Sequence, residues 1–185
     1  MLLTWLCIAA SAQIPDFRLK SAEGKYVALS DYPGARGFIV VFTCNHCPFA
    51  RLYPERLNKL NEQYSKLGVP VIAISSSDTV QYEEDSYEKM QVRAKAGHYL
   101  FPYLYDPTQT VARQFNAQKT PHAFVIWKEE NAGFRIRYSG AIDDNGAEPA
   151  KVKHHYVEDA VDQLLAGKVV AVPTTRSICC QISYR

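Results

Sequence analysis

Five consecutive apolar residues, Phe38-Ile39-Val40-Val41-Phe42, run straight into Thr43-Cys44-Asn45-His46-Cys47. An unbroken apolar run of this length suits a strand covered on both faces, as in a parallel or mixed central sheet. A helical pattern follows, with Leu57, Leu60, Tyr64 and Leu67 three and four residues apart and Gly68 as a stop. The C-x-x-C pair is thus expected at a strand-to-helix junction, with Pro54 kinking the helix.

The rest of the chain alternates in the same way. Tyr26–Leu29, Val69–Ile74, Pro102–Tyr105, His122–Trp127 and Phe134–Ser139 read as strands, the last as an exposed hairpin partner. Asp85–Gly97, Gln109–Phe115 and Val152–Leu165 read as helices. Strand–helix alternation closed by a hairpin predicts an α/β fold, a three-layer α/β/α sandwich around a central mixed sheet. No repeat or linker divides the 185 residues, so residues 13–185 are read as one domain.

Residues 1–12, MLLTWLCIAASA, form an apolar stretch ending in Ala10-Ser11-Ala12. This resembles a signal peptide without its basic start. Cleavage after Ala12 would remove Cys7 and leave four cysteines in two pairs. The protein would then be exported, to the periplasm or cell envelope; an N-terminal extension packed on the core would instead leave it cytoplasmic. A net charge of +2 with no basic run gives no reason to expect nucleic acid, and no apolar run reaches 18 residues, so no spanning helix is expected.

At a helix N-terminus Cys44 would meet unpaired N–H groups and the positive end of the helix dipole, which stabilise a thiolate. Cys44 is therefore expected to be the more exposed and more acidic thiol. Cys47, one turn on, would resolve a mixed disulfide. His46, and Asn45 beside it, are the candidate pKa-tuning residues. C-x-x-C is also half a zinc site, but neither His154/His155 nor Cys179/Cys180 has the spacing of a second half, so no metal and no cofactor are expected. Asp143-Asp144-Asn145-Gly146 reads as a polar turn, and His98 and His122 as structural.

The order of several segments carries a family resemblance: Ile14-Pro15-Asp16-Phe17, Phe42-Thr43-Cys44-Asn45-His46-Cys47-Pro48-Phe49, Val71–Asp78, Phe101–Asp106, Thr120-Pro121, Gly140–Asn145 and Thr175–Cys180. From residue 13 the chain resembles the thioredoxin-like branch of the AhpC/TSA–redoxin superfamily, alongside bacterial proteins of the ResA/TlpA type. The resemblance implies a thioredoxin fold and thiol–disulfide or antioxidant chemistry at Cys44 and Cys47. It implies a cis bond at Thr120-Pro121 facing the dithiol, with Thr120 and Pro121 as substrate-binding residues. The implied partners are protein thiols or disulfides and an upstream reductant or oxidant. Relatives resemble Cys-Thr-Pro and Ser-Ile-Gly-Cys where this chain has Lys119-Thr120-Pro121 and Ser177-Ile178-Cys179-Cys180. The adjacent pair stands open between two buried free thiols, a vicinal disulfide and a resolving partner for the active site. A thiol peroxidase and a metal-handling or binding module are the competing functions. The peroxidase motif P-x-x-x-T-x-x-C is not in register here.

Overall fold

The computed structural model describes residues 13–130 and 133–185. The leader read over residues 1–12, with Cys7, lies outside them. Fourteen elements follow in order. They are β1 (Gln13–Ile14), β2 (Arg18–Ser21), β3 (Tyr26–Ala28), β4 (Gly37–Thr43), α1 (Pro54–Tyr64), β5 (Val71–Ser75) and α2 (Tyr87–Ala96). After these come β6 (Tyr103–Tyr105), α3 (Thr110–Phe115), β7 (Lys119–Thr120), β8 (His122–Glu129), β9 (Gly133–Gly140), α4 (Tyr156–Leu165) and β10 (Cys180–Gln181).

Eight strands form one mixed sheet in the order β1-β9-β8-β4-β5-β6-β2-β3. β4, β5 and β6 run parallel, and β8 is antiparallel to β4 with Phe42 opposite His122. Successive residues of a strand face opposite sides. Phe38, Val40 and Phe42 therefore pack with Ile72, Ile74, Phe115 and Phe124, against α3. Ile39 and Val41 pack with Leu57, Leu60 and Tyr64 of α1, Met90 of α2 and Val157 and Val161 of α4. Both faces of β4 are covered, which is why the run carries no polar residue, and the layers are α/β/α as expected. Phe42 meets the rings of Phe115 and Phe124 at 5.4 and 5.7 Å; truncating it to Ala would cost about 3–5 kcal/mol.

Four expectations need correction. α1 begins at Pro54 rather than being kinked there. Proline lacks an N–H and clashes inside a helix but suits its first position, so Cys47 to Tyr53 form a turn and a short 3-10 segment, Ala50–Leu52. The same helix ends at Tyr64, and Leu67 lies exposed beyond it. α4 starts at Tyr156 rather than Val152, because the preceding backbone is engaged elsewhere. Lys153 N–H donates to Asp144 Oδ1 (2.9 Å), and His154 carbonyl accepts from Asp144 N–H (3.2 Å). β9 is not merely an exposed partner, since Tyr138 within it is fully buried.

Four short strands were not visible as sequence patterns: β1, β2, β7 and β10. The last two pair with each other as a separate two-stranded sheet, Cys180 opposite Thr120 and Gln181 opposite Lys119. Among the described residues no helix is long and apolar enough to cross a membrane.

Candidate active site

Cys44 follows the last residue of β4, at the carboxyl edge of the central sheet, where open α/β sheets characteristically bind their ligands. It does not occupy a helix N-terminus, since α1 begins ten residues later. Its loop is held instead by side chains from neighbouring elements. The Asn45 carboxamide accepts from Tyr103 Oη of β6 (3.1 Å) and donates to the Glu84 carbonyl (2.7 Å). Asn45 thus positions the loop rather than contacting a sulfur.

Both sulfurs lie against Thr120, which β8's antiparallel pairing brings beside the end of β4. Thr120 Oγ1 is 3.1 Å from Cys44 Sγ, and Cys47 Sγ donates to the Thr120 carbonyl at 3.2 Å. The Thr120–Pro121 peptide bond is cis. All four described cysteines are free. Cys44, Cys47 and Ala50 form a small apolar cluster of their own, and Cys179 and Cys180 pack against it.

An unforeseen residue completes the surroundings of Cys44. Asp85, with no exposed surface, accepts from the backbone N–H groups of Asn45 (2.5 Å) and His46 (3.2 Å) and pairs with His46 Nδ1. His46 Nε2 lies 3.9 Å from Cys44 Sγ, and the ring stacks on Tyr82 at 3.8 Å between centroids. The order is carboxylate, imidazole, thiol. A carboxylate on one ring nitrogen fixes the tautomer and leaves the other nitrogen to exchange a proton with the sulfur. The ligating atoms of Cys44, His46 and Asp85 also lie within 4.8 Å of one another. The imidazole is engaged at both nitrogens, however, an arrangement that suits proton relay better than a shared ion. Nothing local marks Asp85 in the sequence: it is the third of three acidic residues, Glu83-Glu84-Asp85.

The electrostatics reverse one expectation. Cys44 is 4% exposed and Cys47 not at all, so neither thiol is open. The hydrogen bond that Cys44 can give Cys47 drives the two thiols in opposite directions. That bond, then burial and the Asp85 carboxylate, push the Cys44 thiol up. Cys47 is pulled down, first by the hydrogen bond from Cys44 and then by donors from the Cys180 thiol and the Ala50 and Cys180 backbone. The first negative charge of the pair thus rests on Cys47, because more donors converge there.

The place beside Thr120, expected for a substrate strand, is filled by the chain's own C-terminal segment through β10. Beside it runs a groove of about 440 Å³, lined by Phe49, Tyr53, Pro121, Ile142 and Cys179. Its far wall is the turn read from sequence as merely polar. Asp143 there is buried and bonded by Tyr53 Oη (3.1 Å) and Arg56 Nη1 (2.5 Å), while Arg56 also donates to the carbonyls of Asn145 and Gly146. His122 is structural as expected: it is buried, with Nδ1 accepting from Gln118 N–H (3.2 Å) and Nε2 3.0 Å from Ser139 Oγ.

A mixed sheet between helical layers, a C-x-x-C pair at the carboxyl edge of its central strand and a cis-proline loop across the pair together define a thioredoxin-fold protein of the redoxin superfamily. The AhpC/TSA family model matches residues 10–147, and the chain belongs to that family. An uncharacterized conserved protein from Geobacillus kaustophilus shares 34% identity with a TM-score of 0.84, over 95% of this chain and 92% of that one. A putative thiol:disulfide interchange protein DsbE from Chlorobium tepidum shares the fold at 20% identity and a TM-score of 0.57, over 85% and 95% of the two chains. Glutathione peroxidase 1 of Caenorhabditis elegans is 26% identical over 123 residues, 66% of this chain and 72% of that protein.

Proposed function

We propose that the protein is a thiol–disulfide oxidoreductase whose working groups are Cys44 and Cys47. The observation that carries this reading is the placement of both sulfurs against one residue, Thr120 Oγ1 on Cys44 and the Thr120 carbonyl on Cys47. A single thiol would suffice for peroxide reduction; a second one in contact with it serves disulfide exchange.

In the reducing direction, His46 Nε2 accepts the Cys44 proton while Asp85 holds Nδ1. The Cys44 thiolate attacks one sulfur of a substrate disulfide. The S–S bond breaks, and the leaving thiolate takes a proton from the imidazolium. Cys47, giving up its proton, then attacks Cys44 Sγ; the mixed disulfide breaks, and the second substrate sulfur leaves with the electron pair and takes up that proton. One substrate disulfide becomes two thiols, and the Cys44–Cys47 dithiol becomes a disulfide. The same steps run backwards oxidise a dithiol. Substrates of this chemistry are protein thiols or disulfides, and the groove beside Pro121 offers them a docking surface. Export by a leader over residues 1–12 would suit such substrates.

The test is trapping on a disulfide-linked peptide such as insulin. C47S should hold the peptide as a mixed disulfide at Cys44 that dithiothreitol releases, and C44S should hold none. Failure of C47S to trap, with no loss of test disulfide on incubation with reduced wild type, would overturn the reading. The peroxidase alternative draws on the similarity to a glutathione peroxidase. It predicts steady consumption of hydrogen peroxide with a thiol reductant, surviving in C47S.

A further inference from the structure

The C-terminal segment is built into the active site rather than laid over it. Cys180 stands opposite Thr120 in the antiparallel β7–β10 pair, and Ile182 N–H donates to the Gln118 carbonyl at 3.0 Å. The segment is anchored on both sides. Upstream, Ser177 Oγ donates to the Pro121 carbonyl, and Thr175 Oγ1 accepts from Ala141 N–H at 3.0 Å. Downstream, Ile182 is buried in the aromatic cluster on the α3 face, and Tyr184 Oη donates to the Ala117 carbonyl.

This pairing decides which tail thiol meets the dithiol. Cys180 is the first residue of β10, and Cys179 lies in the bend before it. Cys179 lines the groove beside Pro121. Cys180 packs on the Cys44–Cys47 cluster directly opposite Thr120, whose carbonyl holds Cys47 Sγ at 3.2 Å, and its donors help to pull the Cys47 thiol down. Cys47 is fully buried, whereas Cys180 is half-buried. Cys180 is therefore the sulfur through which the enclosed member of the pair reaches the surface.

We infer that Cys180 is a third redox residue, which exchanges with the Cys44–Cys47 disulfide to form a Cys47–Cys180 disulfide; this rests on the dithiol reading above. The Cys180 thiolate attacks Cys47 Sγ. The Cys44–Cys47 bond breaks, its electron pair leaves on Cys44, and Cys44 takes up the proton that Cys180 gave up. No electrons enter or leave: one disulfide replaces another, and Cys44 is again free as a thiol while the oxidised state sits in the tail. An external dithiol then reduces the Cys47–Cys180 bond by attack at Cys180. Cys179 and Cys180 both pack on the sulfur cluster but differ in this role, because Cys180 is the one paired opposite Thr120 while Cys179 lines the groove.

The experiment uses the full chain in the C44S background, with oxidised glutathione as oxidant, acid quenching, alkylation and peptide mapping. A Cys47–Cys180 cross-link, cleaved by dithiothreitol, should be the main product. It should persist in C44S/C179S and vanish in C44S/C180S. Glutathionylated Cys47 without the cross-link, or a Cys179–Cys180 disulfide in its place, would overturn the relay. Circular dichroism of each variant checks folding, and wild type supplies a reading free of substitution. Equilibrated in glutathione buffers, wild type should show both Cys44–Cys47 and Cys47–Cys180 linked peptides. Cys44–Cys47 alone overturns the relay and leaves the dithiol reading standing; neither linkage overturns both.

Discussion

The carboxylate of Asp85, wholly buried, meets His46 Nδ1 from a turn 39 residues further along the chain. Its other oxygen accepts the backbone N–H groups of Asn45 and His46, so one side chain both shapes the C-x-x-C loop and orients the imidazole toward Cys44. D85N keeps the size but loses the charge that strengthens all three bonds. We expect a stability loss of about 2–3 kcal/mol at pH 7, the usual scale for weakening a buried charge-assisted network. Urea denaturation measures it. A loss below about 0.5 kcal/mol would mean that the loop holds without the carboxylate.

Thr120 Oγ1 lies 3.1 Å from Cys44 Sγ and offsets part of the upward push that the Cys47 hydrogen bond and burial give that thiol. T120V removes the donor with little change in shape. In the C47S background, where Cys44 lacks its native thiol partner, alkylation by iodoacetamide at pH 7 should slow by about fivefold, the equivalent of one hydrogen bond of about 1 kcal/mol. An unchanged or faster rate would show that the hydroxyl does not stabilise the thiolate.

Because the Cys44 thiol is pushed up and the Cys47 thiol pulled down, thiolate absorbance near 240 nm should rise in two separated steps, one below and one above the ordinary cysteine range. C180A removes a donor from Cys47 and should move the lower step upward. A lower step indifferent to C180A would separate the tail electrostatically from the pair.

His122 gives a pH signature of its own. Burial lowers its pKa to about 4, from an ordinary value near 6.5. The unfolded chain then binds the proton first, so the stability contributed by the neutral ring is complete above pH 6.5 and is lost as pH falls toward 4. The loss is at most about 3 kcal/mol. In H122Q, the slope of unfolding free energy between pH 6.5 and 4.5 should be flatter than in wild type. Parallel slopes would mean that His122 takes up its proton in the folded state.

Much of the framework could be read from the chain alone. Phe38–Phe42 had to be a strand covered on both sides, because no polar residue interrupts it. The dithiol had to follow at its end, because Cys44 comes two residues later. Thr120-Pro121, opening the next apolar strand, was legible through the order of elements. These features are local or sequential, and period and spacing encode them directly.

What only the tertiary structure decided has a different physical origin. Pro54 has the same covalent character whether it kinks a helix or starts one; packing and the turn before it settled the matter, and with it the absence of a helix N-terminus at Cys44. Asp85 is indistinguishable in sequence from Glu83 and Glu84 until β5 places its turn next to the end of β4. β10 is two residues long, too short for any period to announce, and which of Cys179 and Cys180 faces Cys47 depends on its register against Thr120. A slip of one residue would exchange the two thiols. Composition and spacing placed the sulfurs in the chain; backbone pairing between distant segments decided which sulfurs touch.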